Sequence, residues 1–107
     1  MSEHWIPPKS TDARIAELRD RHGGKCWLCD RPMNFGAPKE SGECATVEHL
    51  IAKKREGPDI WDNLVLCHRR CNQELRDRPL VEKIGLRDER RSKDWNAKTR
   101  KKILRIF

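Results

Sequence analysis

The sequence predicts a small α+β domain held together by a metal ion more than by a large apolar core. Three observations predict it. Two short pairs of soft ligands, Cys26-Trp27-Leu28-Cys29 and His68-Arg69-Arg70-Cys71, stand far apart in the chain. Short apolar segments around Val47 and at Leu64-Val65-Leu66 lie between them and suit strands, while helix-compatible stretches lie on either side. Only 36% of the 107 residues are hydrophobic and 38% are charged, so an added crosslink would help so short a chain fold.

The elements follow in order. Pro7 and Pro8 make the start an extended arm. Ser10 or Thr11 caps a first helix over about 11–22, with Ile15 and Leu18 as its apolar stripe and Gly23-Gly24 as its stop. The first Cys pair sits in a tight turn, and residues 34–43, with Gly36, Pro38 and Gly42, read as a loop. A strand over 44–50, a polar loop over 52–62 containing Gly57-Pro58, and a strand over 64–66 come next. A helix over about 68–76 follows. Asp77, Pro79 and Gly85 read as the cap, first turn and stop of another short helix, and 92–107 reads as a final basic one. No composition shift or repeat marks a second domain, so 1–107 reads as one.

Charge and cysteine usage narrow the function classes. The formal net charge is +7, and residues 87–107 carry nine Lys/Arg against three Asp/Glu. That tail suits a polyanion, as a phosphate-binding arm, although a solvated basic surface is the plainer reading. Five cysteines leave one over in any set of bridges, Met1 to Ser10 is polar, and no apolar run approaches membrane-spanning length. A reducing cytoplasm with metal-bound thiolates fits better than secretion, and no membrane partner is expected.

Cys26 and Cys29 can share one tetrahedral zinc. The second pair is ambiguous, because both Cys67 and His68 precede Cys71 at ligand spacing. The tighter spacing favours Cys26, Cys29, His68 and Cys71, with Cys67 as the substitute for His68. A residue left out becomes a small buried thiol or an exposed helix-start histidine. Glu48, His49, Asn63 and Asn72 form a second set. A phosphodiester is cleaved by an activated water, a base and a cation. His49 offers an imidazole that can be the base; Glu48 and Asn72 offer hard oxygens to a divalent cation. Adjacent strand residues point to opposite faces, so Glu48 and His49 meet in one site only if the strand ends or kinks there. Singly, each has a plainer reading, as a strand charge, a turn residue or a helix-surface amide. Lys53, Lys54, Arg55, Arg69 and Arg70, with Lys98, Arg100, Lys101 and Lys102 of the tail, are candidate phosphate contacts. Trp5, Trp27, Trp61 and Trp95 are too scattered to read as a stacking platform and suit packing instead.

Taken in order, Cys26-x-x-Cys29, Glu48-His49-Leu50-Ile51, Asp62-Asn63-Leu64-Val65-Leu66 and His68-x-x-Cys71-Asn72 resemble an HNH endonuclease of the zinc-bearing ββα-metal kind over about residues 25–73. The resemblance implies a two-stranded hairpin and a helix around a catalytic divalent cation (Mg²⁺, Mn²⁺, Ni²⁺ or Zn²⁺), with a separate structural zinc. It implies that His49 is the general base, that Glu48 and Asn72 hold the cation, and that Asn63 shapes the loop carrying the histidine. His68 falls where the family often has Cys, which supports it over Cys67. The implied activity is hydrolysis of DNA, double-stranded for preference, to 5′-phosphate and 3′-hydroxyl ends, by a monomer in a bacterial or phage setting. Three positions depart from the pattern: Glu48 for the usual Asp, Ala52 for a common Pro, and Gly57-Pro58 for a usual Gly-Gly. A non-catalytic zinc module that binds nucleic acid through its tail needs neither Glu48 nor His49. A protein-interaction module on the same zinc scaffold, with the tail on an acidic partner, is a third reading.

Overall fold

The computed structural model describes residues 6–92. The expected helix over 92–107 and the tail contacts Lys98, Arg100, Lys101 and Lys102 lie outside the described residues, as do Trp5 and Trp95, all but Ser92 of that helix among them.

Helix α1 spans Thr11–His22. Ser10 caps it, accepting from Ala13 N at 3.3 Å, and Gly23 ends it at φ 85°, donating to Arg19 O at 2.8 Å. That left-handed φ is open to glycine at little cost. The Cys26–Cys29 turn closes with Asp30 N on Cys26 O and Cys26 N on Arg31 O, both 2.9 Å. Strands β1 (Ala45–His49) and β2 (Leu64–His68) pair antiparallel, from Ala45 opposite His68 to His49 opposite Leu64. Helix α2 (Arg69–Leu75) follows β2 without a loop.

Strand β2 is longer than the apolar run Leu64–Leu66 suggests, because pairing with β1 carries it through Cys67 and His68. His68 is therefore the last strand residue and α2 starts one residue later than expected. The expected stop at Gly85 also fails. Helix α3 covers 80–92 as far as described and runs straight through that glycine. Pro79 opens it, its carbonyl accepting from Glu82 N and Lys83 N at 3.0 and 3.1 Å. A helical glycine costs about 1 kcal/mol against alanine, and packing of Leu86 on the core opposes that cost.

Between β1 and β2 the chain makes two 3₁₀ turns, Lys53–Arg55 and Trp61–Asn63. Gly57 lies between them where only glycine fits: a Cβ there would sit 1.7 Å from Ile51 O. The core joins Leu18 of α1, Leu28 and Met33 of the knuckle region, Trp61, Leu64 and Leu66 of the hairpin, and Leu75 of α2. It closes around the four residues Cys26, Cys29, Cys67 and Cys71, all with free thiols. Trp27 and Trp61 pack on or in this core, as expected of them. No helix among the described residues is long and apolar enough to cross a membrane.

Candidate functional site

One end of the hairpin gathers soft ligands. Cys26 and Cys29 come from the turn after α1, His68 ends β2, and Cys71 lies in the first turn of α2. All four are buried, and their ligand atoms lie within 4.8 Å of one another. A tetrahedron with bonds near 2.3 Å has edges of about 3.8 Å, so this spacing fits zinc. His68 presents Nδ1 to the sulfurs, 3.4 Å from Cys29 Sγ and 3.9 Å from Cys71 Sγ. Its Nε2 lies 3.0 Å from Pro32 O, so the proton belongs on Nε2 and the lone pair faces the thiols. Trp27 N donates to Leu66 O at 2.8 Å and ties the knuckle to β2.

The ambiguity between Cys67 and His68 resolves in favour of His68. Neighbours on a strand face opposite ways, so only one of them can join the other three. Cys67 is fully buried beside Cys26 but outside the mutual group. Hydrogen bonds from Cys67 and Cys71 pull the Cys26 thiol far below its ordinary range, against the effect of burial. The same bond to Cys26, together with burial, pushes Cys67 and Cys71 up. Burial raises Cys29. The thiols thus share protons among themselves, and a divalent cation can take over from those protons.

The other end of the hairpin is built differently. His49 closes β1, half-buried, with Nε2 2.6 Å from Asp59 Oδ1. Asp59 also sits 3.4 Å from Arg14 of α1 and 3.7 Å from Lys53. The hydrogen bond from His49 first, then the charges of Lys53 and Arg14, hold its carboxyl below the ordinary aspartate range. Asn63 fixes the loop that carries both residues. Its Oδ1 accepts from Ile51 N at 2.8 Å, and its Nδ2 donates to Ile51 O and Pro58 O, each at 3.0 Å. Leu50 N reaches Asn63 O at 2.9 Å. One buried amide thereby pins both limbs of the loop after His49.

His49 and Asp59 open onto a cleft of about 730 Å³ between α1 and β1. Lys9, Arg14, Lys39, Lys53 and Arg69 line it against Asp12 and Asp59, so its wall is cationic on balance. Of the sequence-predicted phosphate contacts, Lys53 and Arg69 reach this cleft. Lys54 and Arg55 instead turn to Asp77, through an ion pair at 3.2 Å and a bond to its carbonyl at 2.9 Å. Arg70 pairs with Glu43 at 2.8 Å.

Glu48 and Asn72 do not line the cleft. Glu48 is 6% exposed and faces away from His49, as strand alternation requires. Asn72 reaches the same side of β1 from α2, its Nδ2 donating to Thr46 Oγ1 and Val47 O at 3.0 and 3.1 Å. These two bonds use the amide nitrogen and leave Oδ1 as the atom that could serve as a ligand. Glu48 Oε2 is buried without a hydrogen-bond partner, and burial raises this carboxyl despite the nearby charge of Lys83. Lys83 of α3 is fully buried; its Nζ lies 3.4 Å from Glu48 Oε2 and donates to His49 O at 2.7 Å.

Sequence reasoning missed Asp59, Arg14 and Lys83. Asp59 carries a weak signal, an acid ten residues past the histidine in a Gly-Pro turn. Nothing marks Lys83, since a helical lysine belongs in solvent by default.

The family model for HNH endonuclease matches residues 26–78, from the first zinc-type thiolate to just beyond α2. Arg14 and Lys83 lie outside the matched segment. No curated protein matches the chain.

Proposed function

The chain belongs to the HNH endonuclease family through residues 26–78, and from that premise we propose that it is a metal-dependent endonuclease that hydrolyses DNA phosphodiester bonds with His49 as general base. The observation that carries this reading is the His49–Asp59 pair at the wall of a cationic cleft, on a loop pinned by Asn63. With Nε2–H donated to Asp59, Nδ1 is the nitrogen that can take a proton from water. Asp59 keeps the ring in that tautomer and favours the imidazolium formed when the proton arrives. Arg14, Lys53 and Arg69 neutralise phosphates of a duplex laid along the cleft.

The donors on the other side of β1 are of the kind a divalent cation takes: a buried carboxylate oxygen whose neighbour is the Lys83 ammonium, and the amide oxygen of Asn72 on the same side of the strand. Glu48 and Asn72 would hold that ion on the face of β1 turned away from the His49 cleft; when bound it would supply positive charge to the phosphate and to the leaving 3′ oxygen only of a substrate that reaches around the end of that strand. The Cys26, Cys29, His68 and Cys71 set would hold a structural zinc. The substrate we propose is double-stranded DNA, and the compartment the cytoplasm.

The test is His49→Ala in a metal-supplemented plasmid assay. Cleavage falls by at least about 10² to 10⁴-fold, while zinc content and DNA binding stay as in the wild type. Equal cleavage by the variant removes His49 from the role.

One observation favours a second reading, the occupation of Glu48 by Lys83. A zinc module that binds nucleic acid without cutting it leaves Glu48 free for such a structural pair. Wild-type protein that binds duplex DNA but cleaves it in none of Mg²⁺, Mn²⁺, Ni²⁺ or Zn²⁺ supports that reading.

A further inference from the structure

Lys83 is the oddest residue in the molecule. Lysines are almost never fully buried unless paired, and this one is 0% exposed. Its ammonium is inserted beside the C-terminal end of β1, 2.7 Å from His49 O and 3.4 Å from Glu48 Oε2. At 3.4 Å the contact with Glu48 is a long ion pair, and buried Oε2 has no closer partner. So the carboxylate proposed to hold the catalytic ion already carries a cation, and that cation comes from α3, outside the matched family segment.

We infer that the Lys83 ammonium is a resident counter-cation on Glu48, and that a divalent cation gains this carboxylate only by displacing it. The inference rests on Glu48 being a ligand of the catalytic ion. A buried carboxylate oxygen with an ammonium 3.4 Å from it is a weaker ligand for a divalent ion, since the two positive charges face each other with little water between them. Asn72 brings no charge to offset that repulsion. The amide of Asn72 and the carbonyl of His49 are neutral donors that tolerate either cation. Glu48 is the one group over which the two compete.

The rest of α3 limits how far the displacement spreads. Arg91 donates to Trp27 O at 2.6 Å, Arg90 bonds Glu74, and Arg87 lies 4.8 Å over the Trp27 ring. These contacts hold the later turns of α3 on the knuckle and on α2. Metal loading therefore loosens the first turns, around Lys83, and leaves the later ones docked. In the metal-free protein, Lys83 holds the backbone of the proposed base in place. In the loaded protein that bond to His49 O is given up in exchange for the ion.

Mn²⁺ binding to the zinc-loaded full chain tests this, followed by the paramagnetic resonance of free Mn²⁺. Lys83→Met is expected to bind Mn²⁺ at least ten-fold more tightly than wild type. Equal or weaker binding by Lys83→Met overturns the competition. Glu48→Gln placed in the Lys83→Met chain separates the two claims. If it abolishes the gained binding, Glu48 is the ligand. If tight binding survives it, Glu48 is not the ligand, and that reading falls together with the competition. Should Lys83→Met fail to fold, amide exchange of the wild type decides. Saturating Mn²⁺ is expected to speed exchange over residues 80–86 and leave 87–92 unchanged. Unchanged protection over 80–86 with Mn²⁺ bound overturns the inference.

Discussion

The two ends of one short hairpin solve opposite problems. At the Ala45–His68 end, four buried donors come within 4.8 Å of one another. At the His49–Leu64 end, Glu48 and His49 part to opposite faces of β1, and each takes its partner from elsewhere. The difference is geometric. The zinc-type donors sit on tight turns and a strand end, where the chain doubles back within a few residues. Glu48 and His49 are the last two residues of a strand, and alternation still sends such neighbours to opposite faces. A turn can build a site from its own sequence. A strand has to borrow, here Asp59 from the following loop and Lys83 from α3.

The contrast breaks most violently at the knuckle. Cys71→Ser, or stripping of metal by a strong chelator, removes a crosslink that joins the first turn, β2 and α2. Structural zinc is worth on the order of 10 kcal/mol or more in small domains. With so thin a core, the expected result is loss of cooperative thermal unfolding, together with loss of one bound zinc per chain by elemental analysis. A folded, cooperative Cys71→Ser protein makes the cluster a set of ordinary buried thiols.

At the other end, Asn63→Ala leaves the knuckle alone and attacks the loop. It deletes three hydrogen bonds and strands Ile51 N, Ile51 O and Pro58 O near the protein interior. At about 1 kcal/mol per bond, a loss of roughly 3 kcal/mol is expected in urea unfolding. Zinc content should not change, and cleavage should fall with the misplacement of His49. Wild-type stability in this variant means that water replaces the amide, and the loop is not pinned as described.

These two ends were unequally legible in the sequence. The zinc set was readable because metal spacing is local: Cys26-x-x-Cys29 and His68-x-x-Cys71 announce themselves within four residues each. The hairpin was readable from Val47 and Leu64-Val65-Leu66, and Asn63 from its place before that second run. The role of Cys67 was not, because one residue of strand extension decides which of two adjacent side chains faces the turn. The Gly85 stop failed because tertiary packing overrode propensity. Arg14 and Lys83 were invisible for a different reason: their contacts span long gaps in sequence, and each residue type is ordinary where it stands. Asp59, ten residues past His49, carried only a weak local signal.

A third perturbation asks how much the borrowed acid matters. Asp59→Asn keeps the shape of the side chain and removes its charge. The imidazolium of His49 then loses its neighbour, and a fall in cleavage of about ten-fold is expected, with zinc content and urea stability near wild type. The same variant leaves Arg14 and Lys53 unpaired toward the cleft. DNA therefore binds as tightly as before or more tightly, and a drop in rate together with retained binding separates orientation of the base from recognition of phosphate.

The smallest effect is also the most direct reading of the borrowed pair. His49 is the leading cause of the lowered Asp59 carboxyl, ahead of the charges of Lys53 and Arg14. A lowered carboxyl stabilises the fold above the ordinary aspartate value of about 3.9, and the contribution is lost as pH falls through the lower folded value. Asp59 is exposed, so the gain in stability is slight, but its titration is measurable by carboxyl carbon resonance. In the wild type the midpoint should lie below 3.9 or so. In His49→Ala it should move up toward that value while remaining somewhat low, because Lys53 and Arg14 still face it. A midpoint indifferent to His49→Ala means that the cationic wall alone governs the carboxylate. The histidine would then be free to turn, and the strand end would have borrowed nothing.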